Sequence, residues 1–207
     1  MIVDFIHWLG HDSFLIKDSD KILYIDPWKL PTNSPKADYI FVTHSHYDHF
    51  SHPDIEKIRK IDTKIIAPVD VTDKLSGNAL PLKPNQTIRL DSLAVEAVPA
   101  YNIDKTFHPK EKEWLGFIIQ LSGGLKIYHA GDTDFIPEMK NIKAQIALLP
   151  VSGTYVMTAA EAAAAANTFR PEVVIPMHFG DIVGSEADAE MFQKAFQGET
   201  IIKKAEK

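Results

Sequence analysis

Along the first quarter of the chain, apolar positions fall into short blocks, and each block ends at a turn signal. Ile2 to Trp8 alternates and stops at Gly10. Ser13 to Lys17 follows, then a polar turn at Asp18-Ser19-Asp20, then Ile22 to Ile25 ending at Asp26-Pro27. These spacings predict three short strands. Tyr39 to Val42 is an uninterrupted apolar run and reads as a buried strand. Pro53 to Lys60 has helix chemistry, with Pro near the first turn and Ile55, Ile58 and Ile61 on one side. Lys64 to Ala67 predicts a strand, and Val69 to Leu75 a short helix ending at Gly77.

The second half repeats the alternation. Thr87 to Val98 is β-rich, and Ala100 to Glu113 is a polar, aromatic loop. Trp114 to Leu121 and Leu125 to His129 flank Gly123-Gly124 as a hairpin. Ile146 to Pro150 and Val173 to Met177 are strands, and Glu186 to Phe196 is a helix. A last strand spans Thr200 to Ile202. Thr158 to Phe169 is alanine-rich and helical, with Thr158 as cap and Glu161 at the capping-box spacing. The Ala159–Ala166 run predicts close helix packing. Strands gathered in two stretches, with helices in each half, suggest two sheets packed face to face and covered by helices. A plain α+β domain fits the same order. There is no linker, repeat or low-complexity segment. With 207 residues the chain suits one well-buried domain, 1–207, and is short for two.

Composition narrows the function classes. Hydrophobic residues at 45% and charged residues at 24% are ordinary for a soluble globular protein. A net charge of −6 argues against a nucleic-acid binder that works by phosphate neutralisation. The local basic group Lys57, Arg59, Lys60 and Lys64 reads as a solvated helix face. There is no cysteine, so disulfides and thiolate ligands are excluded, and any metal is held by nitrogen and oxygen. Met1-Ile2-Val3-Asp4 lacks a basic leader region, and no run approaches the roughly 20 apolar residues of a membrane span. The cytoplasm follows by default.

The chemistry concentrates in Thr43-His44-Ser45-His46-Tyr47-Asp48-His49. Imidazole and carboxylate side chains bind zinc, iron or manganese at neutral pH. The segment leaves a strand end, where a rigid scaffold commonly presents function. Histidines two apart on an extended loop point to one side, so His44 and His46 can grip one ion. The turn after Tyr47 can aim Asp48 and His49 at a second position. Two further candidates also follow strands. Asp132 stands in Ala130-Gly131-Asp132-Thr133, where Gly131 lets the backbone bend. His178 stands in Ile175-Pro176-Met177-His178-Phe179-Gly180.

The order His44-x-His46-x-Asp48-His49, then Gly131-Asp132-Thr133, then His178 resembles the metallo-β-lactamase-fold hydrolases. More narrowly, Trp8-Leu9-Gly10-His11-Asp12-Ser13-Phe14, Tyr24-Ile25-Asp26-Pro27 and His129-Ala130-Gly131-Asp132-Thr133 resemble the small branch with ascorbate-6-phosphate lactonase-like and N-acylphosphatidylethanolamine phospholipase-like enzymes. The resemblance implies an α/β, four-layer αβ/βα sandwich with a dinuclear site at one edge of two sheets. It implies that His44 and His46 hold one ion, that Asp48, His49 and His178 hold the other, and that Asp132 bridges them. Asp48 and Asp132 are then the catalytic carboxylates.

The family's remaining histidine is absent, because its position reads Ala100-Tyr101-Asn102. His108 is the histidine available to complete the first position, with Tyr101 as the lesser candidate. Asp26 and His11 are expected to support the ligands, Asp26 from behind an imidazole, and His11 in that way or as part of the pocket lining. His7, His52 and His129 are expected to be structural or superficial. Trp28, Phe50, Tyr101, Phe107 and Tyr155 are aromatic residues that could wall a pocket.

The implied cofactors are two divalent transition-metal ions; zinc fits the donors, and manganese or iron do too. Water on such ions loses a proton near neutral pH and attacks a carbonyl or phosphoryl centre. The expected function is therefore hydrolysis of a small lactone, ester, amide or phosphodiester. A metal-bound regulatory or ligand-binding module is the alternative. A nuclease or a flavo-diiron protein needs a further domain, for which this compact chain leaves no room.

Overall fold

The computed structural model describes residues 3–206. Among these residues thirteen strands make two sheets. The first holds β1 (Ile6–Gly10), β2 (Ser13–Asp18), β3 (Lys21–Ile25), β4 (Tyr39–Phe41), β5 (Lys64–Ala67) and β6 (Ala79–Pro81) in that spatial order. The second holds β7 (Thr87–Leu90), β8 (Leu93–Pro99), β9 (Leu115–Gln120), β10 (Lys126–His129), β11 (Ile146–Pro150), β12 (Val173–Met177) and β13 (Glu199–Thr200), again in order. Each sheet begins as an antiparallel meander and continues as parallel strands, from β3 in the first and from β10 in the second. The helices are α1 (His52–Ile58), α2 (Val69–Thr72), α3 (Ala159–Phe169) and α4 (Glu186–Ala195).

Burial on both faces explains the unbroken apolar runs. In β4, Tyr39 and Phe41 enter the core between the sheets, while Ile40 and the following Val42 pack with Ile55 and Ile58 of α1 and Val71 of α2. On the other side, Ala162, Ala163, Ala165 and Ala166 of α3 are buried, and α3 packs against α4. Their small side chains permit that approach, so the alanine run is a packing surface. The capping box at Thr158 forms as expected: Glu161 N donates to Thr158 Oγ1 at 3.2 Å, and Thr158 N donates to Glu161 Oε2 at 2.7 Å.

The sandwich expected from the resemblance is the fold observed, with several local differences. The start of the first strand at Ile2 lies outside the described residues, and pairing begins at Ile6. Helix α1 stops at Ile58, not Lys60, because Thr63 Oγ1 takes Lys60 N–H and donates to Ala37 O, closing the turn into β5. Ile61 sits on that turn, 99% exposed, and has no place on the helix's buried side. The basic residues beside it are individually paired, Lys57 with Asp54, Arg59 with Glu56, Lys60 with Asp38 and Lys64 with Asp91. The last strand, expected over Thr200 to Ile202, is Glu199–Thr200 and stops before the apolar pair Ile201-Ile202, its place set by pairing with Val173 and Val174 of β12. Strand β6 and the 3-10 turn Pro137–Asn141 were not anticipated.

The strand pairings also position the chemistry. Strands β1, β3 and β4 share one direction in the first sheet, as β8, β10, β11 and β12 do in the second. Every candidate site residue follows the carboxyl end of one of these strands, the location where open α/β sheets bind ligands.

Candidate metal centre

Three sets of potential ligand atoms meet at this edge. The first is His44, His46 and His108. His44 Nε2 lies 3.0 Å from His46 Nδ1. His108 enters from the long loop after β8, and Asn102 fixes its ring: Asn102 Oδ1 accepts from both His108 N at 3.1 Å and His108 Nδ1 at 2.9 Å. The Nε2 lone pair is thereby left free. Tyr101, the lesser candidate, is turned away; its hydroxyl donates to Glu138 and receives Lys110.

The second set joins His44 and His49 through Asp132, and the third gathers His11, Asp12, His49 and His178. Asp132 Oδ2 is 3.2 Å from His108 Nε2, 3.2 Å from His178 Nε2 and 3.5 Å from His49 Nε2. One carboxylate oxygen therefore stands between the two halves of the centre. Gly131 makes this reach feasible: its φ is +64°, and a Cβ there would lie 2.8 Å from Leu115 O. Asp48 sits at the mouth, with Oδ2 3.1 Å from His11 Nε2 and 3.9 Å from His49 Nε2.

Supporting contacts set the tautomers. Asp26 is fully buried and accepts three hydrogen bonds, from Thr43 N at 2.8 Å, Thr43 Oγ1 at 2.6 Å and His49 Nδ1 at 2.8 Å. With its proton on Asp26, Thr43 Oγ1 accepts from His44 Nδ1 at 2.9 Å. Asp26 thus holds His49 directly and His44 through Thr43. Ser152 Oγ pairs with His178 Nδ1 at 2.9 Å. His11 faces the centre itself and does not stand behind another imidazole. His11, Asp26 and His178 all adopt left-handed backbone conformations, with φ of 51°, 46° and 59°. Such positions cost about 1–3 kcal/mol each and gather at functional sites.

His129 is structural, as expected: Gly131 N donates to its Nδ1, and its Nε2 donates to Asp12 O, tying the loop before Asp132 to the first hairpin. His7 contacts Glu206 and His52 contacts Glu56, both away from the centre.

The electrostatics divide the centre in two. Burial, then the charge at His49, holds His44 well below the ordinary histidine range; burial and His108 lower His46. Both imidazoles are therefore neutral and have lone pairs to offer. Burial works in the same direction on His49 and His178, but the Asp132 carboxylate outweighs it, aided by Asp26 at His49 and Asp12 at His178. His49 rises well above its ordinary value, and His178 reaches about 9. Burial would raise Asp132 and Asp48, yet the facing imidazoles hold Asp132 well below the usual range and lower Asp48.

Above the centre lies a cavity of about 240 Å³. Phe107 and Tyr155 form part of its wall, their rings 4.3 Å apart, along with Tyr47 and Ile182. Of the other expected wall residues, Trp28 packs beneath His11 at 5.4 Å, and Phe50 and Tyr101 do not line the cavity. Sequence reasoning missed Asp12, Asn102 and Ser152. Asn102 and Ser152 carry no local signal, and Asp12 reads as an ordinary turn residue.

Residues 5–178 match the β-lactamase superfamily domain model. The UPF0173 metal-dependent hydrolase of Methanosphaera stadtmanae is 32% identical, the match covering 95% of this chain and 92% of that protein. The one from Archaeoglobus fulgidus is 35% identical over 92% and 89%. Among solved structures, a protein of Parabacteroides distasonis assigned to the metal-dependent hydrolases superposes with a TM-score of 0.87 at 34% identity, covering 97% of this chain and 93% of that one. Igni18, a metallo hydrolase of Ignicoccus hospitalis, superposes with a TM-score of 0.79 at 25% identity, covering 98% and 95%. The chain belongs to the β-lactamase superfamily domain family and groups there with metal-dependent hydrolases of the metallo-β-lactamase fold.

Proposed function

We propose that this protein is a hydrolase working with two divalent transition-metal ions, zinc, manganese or iron, on a small molecule with a neutral lactone, ester or amide bond. The observation that carries the reading is Asp132 Oδ2, within 3.2 Å of both His108 Nε2 and His178 Nε2. A single oxygen shared by two histidine groups is the arrangement a bridging ligand requires. The donor set fits such ions: all nitrogen and carboxylate oxygen, with buried His49 Nε2, His108 Nε2 and Asp132 Oδ1 lacking hydrogen-bond partners among the described residues. His44, His46 and His108 would hold one ion, and Asp48, His49 and His178 the other.

When bound, the ions supply Lewis acidity and a water that ionises near neutral pH. The chain's own residues do the rest. Asp132 orients the attacking water between the halves. Asp48, at the mouth and held by His11, is the carboxylate placed to relay the proton that the attacking water gives up to the departing group. Phe107 and Tyr155 shield the centre from bulk water. Among the described residues no lysine or arginine lines the cavity, and Lys29 is paired with Asp181. This lining favours a neutral scissile group over a phosphodiester. The binding-module alternative drew on a first position short of a ligand; His108 beside His44 and His46 supports a complete position instead.

Elemental analysis after reconstitution is expected to give close to two ions per chain. A screen of esters, lactones, amides and phosphodiesters with that metal is expected to find acyl hydrolysis. A value near zero under all conditions overturns the metal reading. Two ions with no turnover restore the binding module, and turnover confined to phosphodiesters overturns the substrate assignment.

A further inference from the structure

The turn between β1 and β2 has an unusual setting. Gly10 pairs with Ser13, so His11 and Asp12 alone form a two-residue hairpin loop. Such loops normally sit at the surface, and a positive φ at their first position normally selects glycine. Here that position is His11 at φ 51°, and both turn residues are completely buried. Backbone bonds fix the turn from three directions: His11 O receives Trp8 Nε1 at 2.8 Å and His178 N at 3.1 Å, and Asp12 O receives His129 Nε2 at 3.0 Å.

Among the described residues the Asp12 carboxylate has no hydrogen-bond partner on either oxygen. A carboxylate buried in that condition either takes up a proton or needs a cation facing it. Three imidazole nitrogens converge on one of its oxygens: Oδ2 lies 3.5 Å from His11 Nε2, 3.9 Å from His49 Nε2 and 3.9 Å from His178 Nε2. Ligand atoms bound about 2.1 Å from one ion stand about 3.0–3.4 Å apart, depending on whether the geometry is octahedral or tetrahedral. The observed separations lie just outside that range, so a bound ion would draw the atoms together by a few tenths of an ångström each.

We infer that Asp12, presented by the buried His11-Asp12 turn, is a direct ligand of the second metal position. The inference rests on the two-ion reading above. It adds to that position a carboxylate and, in His11, an imidazole. Together with Asp48, Asp132, His49 and His178 these would make a site of three carboxylate oxygens and three imidazole nitrogens, a high donor number. Such a set suits manganese or iron(II), whereas zinc takes four ligands in its closed sites.

The test compares wild type with Asp12→Asn, an isosteric change, and with Asp48→Asn. Each protein is stripped, titrated with Mn²⁺ and with Zn²⁺ by calorimetry, and analysed after reconstitution with both ions in competition. In Asp12→Asn the second ion is expected to bind at least tenfold more weakly, the first to be unchanged, and the share of manganese to fall. Asp48→Asn is expected to weaken the second ion while preserving the manganese preference better. A second ion bound by Asp12→Asn with wild-type affinity and selectivity overturns the inference alone. Wild type taking up no second ion overturns the two-ion reading and this inference with it. Should Asp12→Asn fail to fold, a crystal structure of the manganese-loaded wild type decides directly. An Asp12 oxygen within about 2.3 Å of the ion supports the inference; one beyond 3 Å overturns it.

Discussion

Asp26→Asn removes one charge from beneath the centre and changes almost nothing in shape. Asp26 takes three donors on two oxygens, with Oδ2 receiving Thr43 Oγ1 and His49 Nδ1, and Oδ1 receiving Thr43 N. Asparagine keeps one acceptor oxygen. Its best orientation leaves that oxygen at the Oδ2 position and sets its amide against Thr43 N–H. One buried donor is then unpaired, at about 1–3 kcal/mol. The φ of 46° adds little, because asparagine tolerates the left-handed region well.

For a chain of this size each kcal/mol lowers Tm by about 2–4 °C, so metal-free Asp26→Asn should melt roughly 2–12 °C below wild type. Metal binding should respond separately. Loss of a carboxylate behind a ligating imidazole typically weakens metal affinity 10–100-fold, or about 1.4–2.8 kcal/mol. The second position, which meets Asp26 directly through His49, should weaken more than the first, which meets it only through Thr43. Differential scanning fluorimetry of the stripped protein and calorimetric metal titration read the two effects. Both affinities within twofold of wild type, or a larger loss at the first position, would refute the reasoning. Asp26→Ala is the harsher control. It abandons all three donors and places alanine at a positive φ, for a loss of about 4–11 kcal/mol against a typical total of 5–15. Little folded protein is expected.

Three further outcomes follow from particular contacts. His108→Ala should selectively lose the ion at the first position while Tyr101→Phe leaves both ions bound; unchanged stoichiometry and affinity in His108→Ala would show that the loop supplies no ligand. Gly131→Ala forces a Cβ to within 2.8 Å of Leu115 O at a φ of +64°, so denaturant titration should show a loss of about 2–4 kcal/mol from strain and steric conflict; a loss under 0.5 kcal/mol would contradict the close approach. In the metal-free protein, His178 is raised from 6.5 to about 9. Its stabilising pair with Asp132 is thus fully present below pH 6.5 and fades as pH rises through about 9. Tm of the stripped protein should fall over that window, and His178→Gln should flatten the part of the fall that His178 causes; an identical pH profile in the variant would dismiss the assignment.

The centre was legible in the sequence wherever its chemistry is local. His44, His46, Asp48 and His49 lie on one short segment, so their spacing alone marks them as potential metal ligands. Asp132 and His178 each follow a strand that the apolar pattern marks, and Gly131 signals the bend that Asp132 needs. Thr158 and Glu161 are three residues apart, so their capping box could be read without any tertiary knowledge. Hydrogen-bonded turns and alternating strands are short-range phenomena, and the sequence carries them directly.

Tertiary structure decided the rest, because it brings distant residues together and sets their burial. Composition does not show that the chain after β8 folds back until Asn102 orients His108 toward His44, or that Ser152 fits against His178. Asp12 is the clearest case. Locally it is a polar residue in a two-residue hairpin turn, the position where aspartate ordinarily meets water. It becomes a buried, unpartnered carboxylate only because the end of β12 delivers His178 N–H onto His11 O and the end of β10 delivers His129 onto Asp12 O. Those contacts span most of the chain, and no window of sequence contains both partners. The sequence determined which groups could bind metal. The packing of two sheet edges decided which of them share one oxygen, which are shielded from water, and how many surround each position.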